Sequence, residues 1–193
     1  MKKLLAIIFT IALLFTACDK QDSLVSPEKS VVEAIQKQSF IELPAPANPS
    51  LNKMTKTGGY IANNIGGYLY TKSEYVADNG NYVAMKAIIQ FPSEFMFDTK
   101  DASVFITMIV DDATASTQFY PEMIFKNFPS FSITYYGLDL SNINPEDIEF
   151  KYIANDGSIE DVKYDSFTVN IELGMLSVRN AKLPHFSRFG FLN

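Results

Sequence analysis

Two arrangements of apolar residues divide this chain. Residues 4–15 form one nearly unbroken apolar run, whereas from Gly58 onward apolar and polar side chains alternate with the period of two that marks half-buried strands. Over 81–91, Val83, Met85, Ala87, Ile89 and Phe91 share one face, with Tyr82, Lys86 and Gln90 on the other. Over 130–136, Phe131, Ile133 and Tyr135 turn inward against Ser130, Ser132 and Thr134. Phe167, Val169, Ile171 and Leu173 do the same against Ser166, Thr168, Asn170 and Glu172. The stretch 103–110 is apolar on both faces, which predicts a central strand. Asn155-Asp156-Gly157-Ser158 predicts a hairpin turn between strands at 148–154 and 159–164. Further strands are expected at 67–76, 175–179 and 185–191, and the gaps are too short for the crossovers a parallel sheet needs. The fold class that satisfies this pattern is all-β, an antiparallel two-sheet β-sandwich of roughly eight to ten strands.

Residues 19–57 carry neither pattern for long. Polar residues come first, and Leu43-Pro44-Ala45-Pro46-Ala47-Asn48-Pro49-Ser50 favours extended, semi-rigid chain. Between them Ser26 suits a cap, Pro27 the first helical position, and Val31, Val32 and Ile35 one face of a short helix over 27–38. The expectation is a mostly disordered tether ahead of the sandwich. Composition agrees with strands: 16 Phe and 10 Tyr accompany abundant Ile and Val, with no Trp. The net charge is −6, and losing two of the sixteen basic residues, Lys2 and Lys3, would take the body to −8. An acidic body repels nucleic acid and is not drawn to anionic lipid.

The apolar run is the next question. At residues 4–15 it falls short of the roughly 20 residues a membrane-spanning helix needs, and behind Lys2 and Lys3 it reads as an export signal. It ends in Phe15-Thr16-Ala17-Cys18, which resembles the lipobox of bacterial lipoproteins. The resemblance implies that a diacylglyceryl group is attached to the Cys18 sulfur and that cleavage before Cys18 makes it the mature N-terminus. The alternative is ordinary secretory cleavage after Ala17, leaving an unpaired thiol in an oxidising compartment. Cys18 is the only cysteine, so the mature chain has no internal disulfide. The expected organisation is a signal peptide at 1–17, a lipid-bearing Cys18 and tether over 18–57, and a sandwich over 58–193. Asp19 follows the cysteine, and in some diderm bacteria an aspartate there retains lipoproteins in the inner membrane. Lineages differ, so inner membrane, outer membrane and surface display all stay open.

Candidate chemistry is sparse. His185 is the only histidine, and Ser187 lies on the same face of its strand, a poor geometry for proton transfer; no Gly-x-Ser-x-Gly motif occurs. His185 is therefore read as structural, no catalytic residue is assigned, and no metal or cofactor is expected. Asp98 and Asp101, Asp111 and Asp112, Glu146 and Asp147, and Glu160 and Asp161 are read as solvated loop charge; none fits a calcium loop. Tyr68, Tyr70, Tyr75 and Tyr82 are expected to cover sheet edges and core margins, the competing reading being an exposed platform for sugar rings or a partner protein.

Several landmarks then fall into a known order. Gly66-Gly67 opens a strand, Ile89-Gln90-Phe91-Pro92 ends one, Phe119-Tyr120-Pro121 leads to Ile124-Phe125, and His185-Phe186-Ser187-Arg188-Phe189 lies in the last strand. This order resembles the β-sandwich interaction module of zona-occludens scaffold proteins, netrin receptors and ankyrins, which also occurs in bacterial surface proteins and lipoproteins. The resemblance implies a non-enzymatic module that makes protein contacts or stiffens an assembly. The expected function is thus a membrane-anchored lipoprotein of the bacterial cell envelope, facing the periplasm or the exterior, with an envelope protein as partner. The runner-up is a carbohydrate-binding surface lipoprotein, and a carboxylate-dependent hydrolase comes third. Aromatic side chains in a row on one sheet face favour sugar, converging carboxylates in a cleft favour hydrolysis, and a flat mixed surface favours a protein partner.

Overall fold

Period-two alternation becomes a two-layer structure in the computed structural model, which describes residues 38–48, 55–97, 102–154 and 158–193. The strands are β1 (Thr55–Ala62), β2 (Gly67–Val76), β3 (Tyr82–Phe91), β4 (Ser103–Val110), β5 (Ser116–Tyr120), β6 (Ser130–Tyr136), β7 (Glu149–Ile153), β8 (Ile159–Asp161), β9 (Ser166–Asn170), β10 (Met175–Lys182) and β11 (Arg188–Leu192). They form a six-stranded sheet in the order β1-β4-β5-β11-β7-β8 and a five-stranded sheet in the order β2-β3-β6-β10-β9, and every pairing is antiparallel. The fold is the expected all-β sandwich.

The core is the apolar half of each alternation. Val83, Met85, Ala87, Ile89 and Phe91 of β3 are buried, as are Phe131, Ile133 and Tyr135 of β6. Aromatic rings fill one end: Phe186 stacks on Phe119 with centroids 4.8 Å apart and meets Phe125 edge-on at 4.7 Å and Phe91 at 6.0 Å. Each such pair contributes about 0.5–1.5 kcal/mol beyond its buried area. The turn into β2 depends on Gly66, at φ +79°, where any Cβ would overlap the Phe91 carbonyl oxygen.

Several boundaries differ from the sequence reading. β1 begins at Thr55, inside the expected tether, and β5 was not anticipated. The strand expected over 166–173 ends at Asn170 because residues 171–174 make the turn into β10, while β10 runs on to Lys182. The last strand starts at Arg188; His185 makes only an isolated bridge to Ile124. The hairpin between β7 and β8 closes through the Ala154 amide to the Ser158 carbonyl, with 155–157 outside the described residues. β4 lies inside its sheet, between β1 and β5.

The largest difference concerns 38–48, expected as tether. This stretch lies along the sandwich as a strap. The Ile41 amide donates to the Phe191 carbonyl at 2.9 Å, the Ala115 amide to Ile41 at 2.7 Å, and the Leu43 amide to Ala113 at 2.8 Å. Further on, the Ala47 amide donates to Val76 and the Asp78 amide to Ala45, so the strap joins the six-stranded sheet to the edge of the five-stranded one. Ile41 is buried in the core, and the Tyr75 hydroxyl donates to the Pro44 carbonyl at 2.8 Å. Proline removes donors but leaves carbonyls free, so a proline-rich stretch can still be held from outside. The expected signal peptide, Cys18 and the expected helix over 27–38 lie essentially outside the described residues, which begin at Gln38.

Candidate functional site

Polar halves of the same alternation decide what the sandwich offers to solvent. On the five-stranded sheet they line a groove of about 550 Å³ that crosses all five strands. Register places its parts in rows. Just outside its lining, Lys72 of β2 stands opposite Lys86 of β3, which stands opposite Thr134 of β6, then Ser177 of β10 and Thr168 of β9. The neighbouring row runs Tyr70, Ile88 and Ser132, and on the other side Ala84 pairs with Tyr136.

The floor of the groove is hydroxylic. Thr134 and Ser177 share a hydrogen bond of 2.8 Å, and Ser132 Oγ accepts from the Asn180 amide at 2.9 Å. A bulge explains the second contact. Between Val178, opposite Ile133, and Ala181, opposite Phe131, β10 carries one residue more than β6, and Asn180 takes it up at φ 54°. Asparagine tolerates this left-handed backbone better than most residues, and Ser130 and Asp165 hold its side chain. As a result two consecutive side chains, Arg179 and Asn180, both line the groove.

Charge on this face runs against that of the whole molecule. Among the described residues, Lys72, Lys86, Arg179 and Lys182 point outward from the sheet against one strand carboxylate, Glu74. Glu74 accepts a hydrogen bond from the Tyr82 hydroxyl, which pushes the Tyr82 pKa up. None of the four cations forms an ion pair among the described residues. Tyr68, Tyr70, Tyr82 and Tyr136 are exposed here, at 65%, 50%, 57% and 37%. Three of the four tyrosines singled out in the sequence therefore stand on one face, Tyr68 and Tyr70 on the edge strand β2 as expected and Tyr82 on β3 beside it. Tyr75 points the other way, against the strap, and burial raises its pKa, with the Asp78 charge adding to it.

The remaining candidates disperse. His185 rests edge-on against Tyr152, with centroids 4.3 Å apart and its Nε2 3.8 Å from Glu160; no hydrogen bond joins it to Ser187. Asp111 accepts from the amides of Ala113 and Thr114 and meets Arg188 at 3.3 Å, and Arg188 also donates to Thr114 and Ser116 while its guanidinium lies 4.4 Å from the centre of the Phe40 ring. Asp147 accepts from Asn144, and Asp161 pairs with Lys151 at 2.6 Å. Asp98 and Asp101 lie outside the described residues. Among the described residues no three His, Cys, Asp or Glu side chains converge, and no helix is long and apolar enough to cross a membrane. Sequence reasoning placed Lys86, Thr134 and Tyr82 on outward faces but missed Arg179, Asn180 and Tyr136 as partners in one groove. No protein-family model matches the chain, and no curated protein or solved structure matches it either.

Proposed function

We propose that this chain is a lipoprotein of the bacterial envelope, moored through Cys18, whose sandwich is a non-enzymatic binding module with the five-stranded sheet as its binding face. The groove carries the reading: it brings tyrosines, hydroxyls and unpaired cations from five strands onto one surface, whereas Asp111, Asp147 and Asp161 are engaged in turns and ion pairs. The likeness to the interaction module of scaffold proteins supports a binding rather than a catalytic role. Of the two ligand classes, carbohydrate is favoured over a protein partner. Protein hot spots are rich in Trp, Tyr and Arg but poor in Ser and Thr, while this floor offers Ser132, Thr134 and Ser177 between exposed Tyr70 and Tyr136, the combination that matches ring hydroxyls and ring faces.

Two measurements test it. Cys18→Ser should abolish incorporation of labelled fatty acid and leave unprocessed precursor; equal labelling of variant and parent refutes the anchor. Tyr70→Ala with Tyr136→Ala should weaken retention of the full chain on immobilised polysaccharide without lowering its melting temperature, and unchanged retention refutes the binding face.

A further inference from the structure

We infer that the ligand of this groove is an acidic polysaccharide, its acid groups held by Lys72, Lys86 and Arg179 and its sugar rings laid against Tyr70 and Tyr136. The inference rests on the carbohydrate reading of the face and names the class of sugar.

Three observations carry it. Lys72 and Lys86 are directly opposite one another across β2 and β3, an arrangement that costs stability because like charges at facing positions repel. No carboxylate relieves it at ion-pair distance: Glu74, one step along β2, is engaged by Tyr82, and Asp165, just before β9, is engaged by Asn180. Second, Arg179, outward by alternation after buried Val178, lines the groove beside Asn180, which the bulge brings to the same side, placing a planar guanidinium, which suits carboxylate and sulfate, across the hydroxyl floor from the lysines. Third, the cations gather on one face of a chain whose net charge is −6, so the local potential opposes the overall one and selects anions at the groove alone. An acidic peptide would also satisfy the cations, but a chain of acidic, hydroxylated rings in addition lays ring faces on Tyr70 and Tyr136 and ring hydroxyls along Ser132, Thr134, Ser177 and Thr168.

The test uses the full chain purified from membranes in non-ionic detergent, titrated calorimetrically with polygalacturonate, hyaluronan and dextran sulfate. Beside them stand carboxyl-reduced forms of the first two and plain dextran, which keep the backbone and lose the charge. The acidic chains should bind at least about tenfold more tightly than their neutral counterparts, and Lys86→Gln and Arg179→Gln should each remove roughly tenfold, about 1.4 kcal/mol, without lowering the melting temperature. Raising salt from about 0.05 to 0.5 M should weaken the acidic chains only, because screening shortens to a few ångströms. Equal binding of charged and neutral forms overturns the charge assignment and leaves the carbohydrate reading standing. Polyglutamate binding as tightly as the polysaccharides, indifferent to Tyr70→Ala, overturns the sugar in favour of an acidic peptide. Acidic binding untouched by both cation variants places the site elsewhere, and no binding of any probe overturns both readings.

Discussion

Replacing Ile41 with alanine tests whether the proline-rich stretch is tether or part of the fold. Ile41 is 2% exposed and packs into the core between the two sheets, its amide bonded to Phe191 of β11 and its carbonyl to the Ala115 amide just before β5. The substitution removes three buried carbons at about 0.8 kcal/mol each, roughly 2.4 kcal/mol, and the incompletely collapsed cavity raises this to about 3 kcal/mol. For a unit spanning Gln38–Asn193, each kcal/mol moves the melting temperature by about 2–4 °C, so a fall of roughly 6–12 °C is expected by calorimetry. Glu42→Ala, next in the strap and exposed, is the control and should change stability by no more than about 0.5 kcal/mol. Hydrogen exchange gives a second reading: the Ile41 and Leu43 amides, donating to Phe191 and Ala113, should be protected like strand amides. A shift of less than about 1 °C for Ile41→Ala, or amides exchanging at free-chain rates, would falsify the strap.

Gly66→Ala should cost at least about 3 kcal/mol, because at φ +79° its Cβ overlaps the Phe91 carbonyl and lies 2.8 Å from the Pro92 carbonyl carbon, whereas Gly80→Ala, at φ +84° with open space around it, should cost only the left-handed strain of about 1–2 kcal/mol; equal losses in urea unfolding would refute the clash. Tyr135→Phe should leave stability unchanged or raise it, since neither the buried Tyr135 hydroxyl nor Thr117 Oγ1 has a partner at hydrogen-bond geometry, and burial pushes the Tyr135 pKa far up; a loss above about 1 kcal/mol would show that the hydroxyl is bonded. The hydrogen bond from Lys151 holds the Asp161 carboxyl below its ordinary value of 3.8, so its contribution is present above that value and is lost as pH falls through the lowered pKa. In Lys151→Met, NMR titration should return Asp161 to the ordinary carboxylate range, and an unmoved Asp161 would sink the pairing.

The sandwich was legible because a half-buried strand writes its two faces directly into alternate residues: β3 and β6 bury the side chains their alternation assigned inward. Strands outside that code were missed. β1 reads Thr-Lys-Thr-Gly-Gly-Tyr-Ile-Ala, with few apolar residues to alternate, and it is held as an edge strand by its register with β4 from Thr55↔Val110 to Ala62↔Ser103. β5 is a strand because β4 and β11 flank it, not because Ser116-Thr117-Gln118-Phe119-Tyr120 has a pattern of its own. The strap escaped for the same reason. Its partners are the Phe191, Ala113 and Val76 carbonyls, contributed by remote backbone that no local pattern of 38–48 can announce.

The groove sits at the limit of what alternation can tell. Period two says that Lys86 and Thr134 point away from Val83 and Phe131, but it does not say that β3 and β6 are neighbours, and a cation becomes part of a site only beside its cross-strand partners. Arg179 and Asn180 go further, since alternation assigns adjacent residues to opposite faces. Only an inserted residue lets both face the same side, and its signal in sequence is no more than an asparagine able to accept φ 54° opposite two serines. Straightening the strand by deleting Asn180 would restore strict alternation with Arg179 opposite Ser132, still outward, and Ala181 still opposite Phe131, so the groove would lose Asn180 and its bonds to Ser130, Ser132 and Asp165 but keep its guanidinium. Such a variant should lose stability with these three hydrogen bonds yet keep the polysaccharide affinity that Arg179→Gln loses; a deletion that cost as much affinity as Arg179→Gln would show that the bulge itself aims the guanidinium.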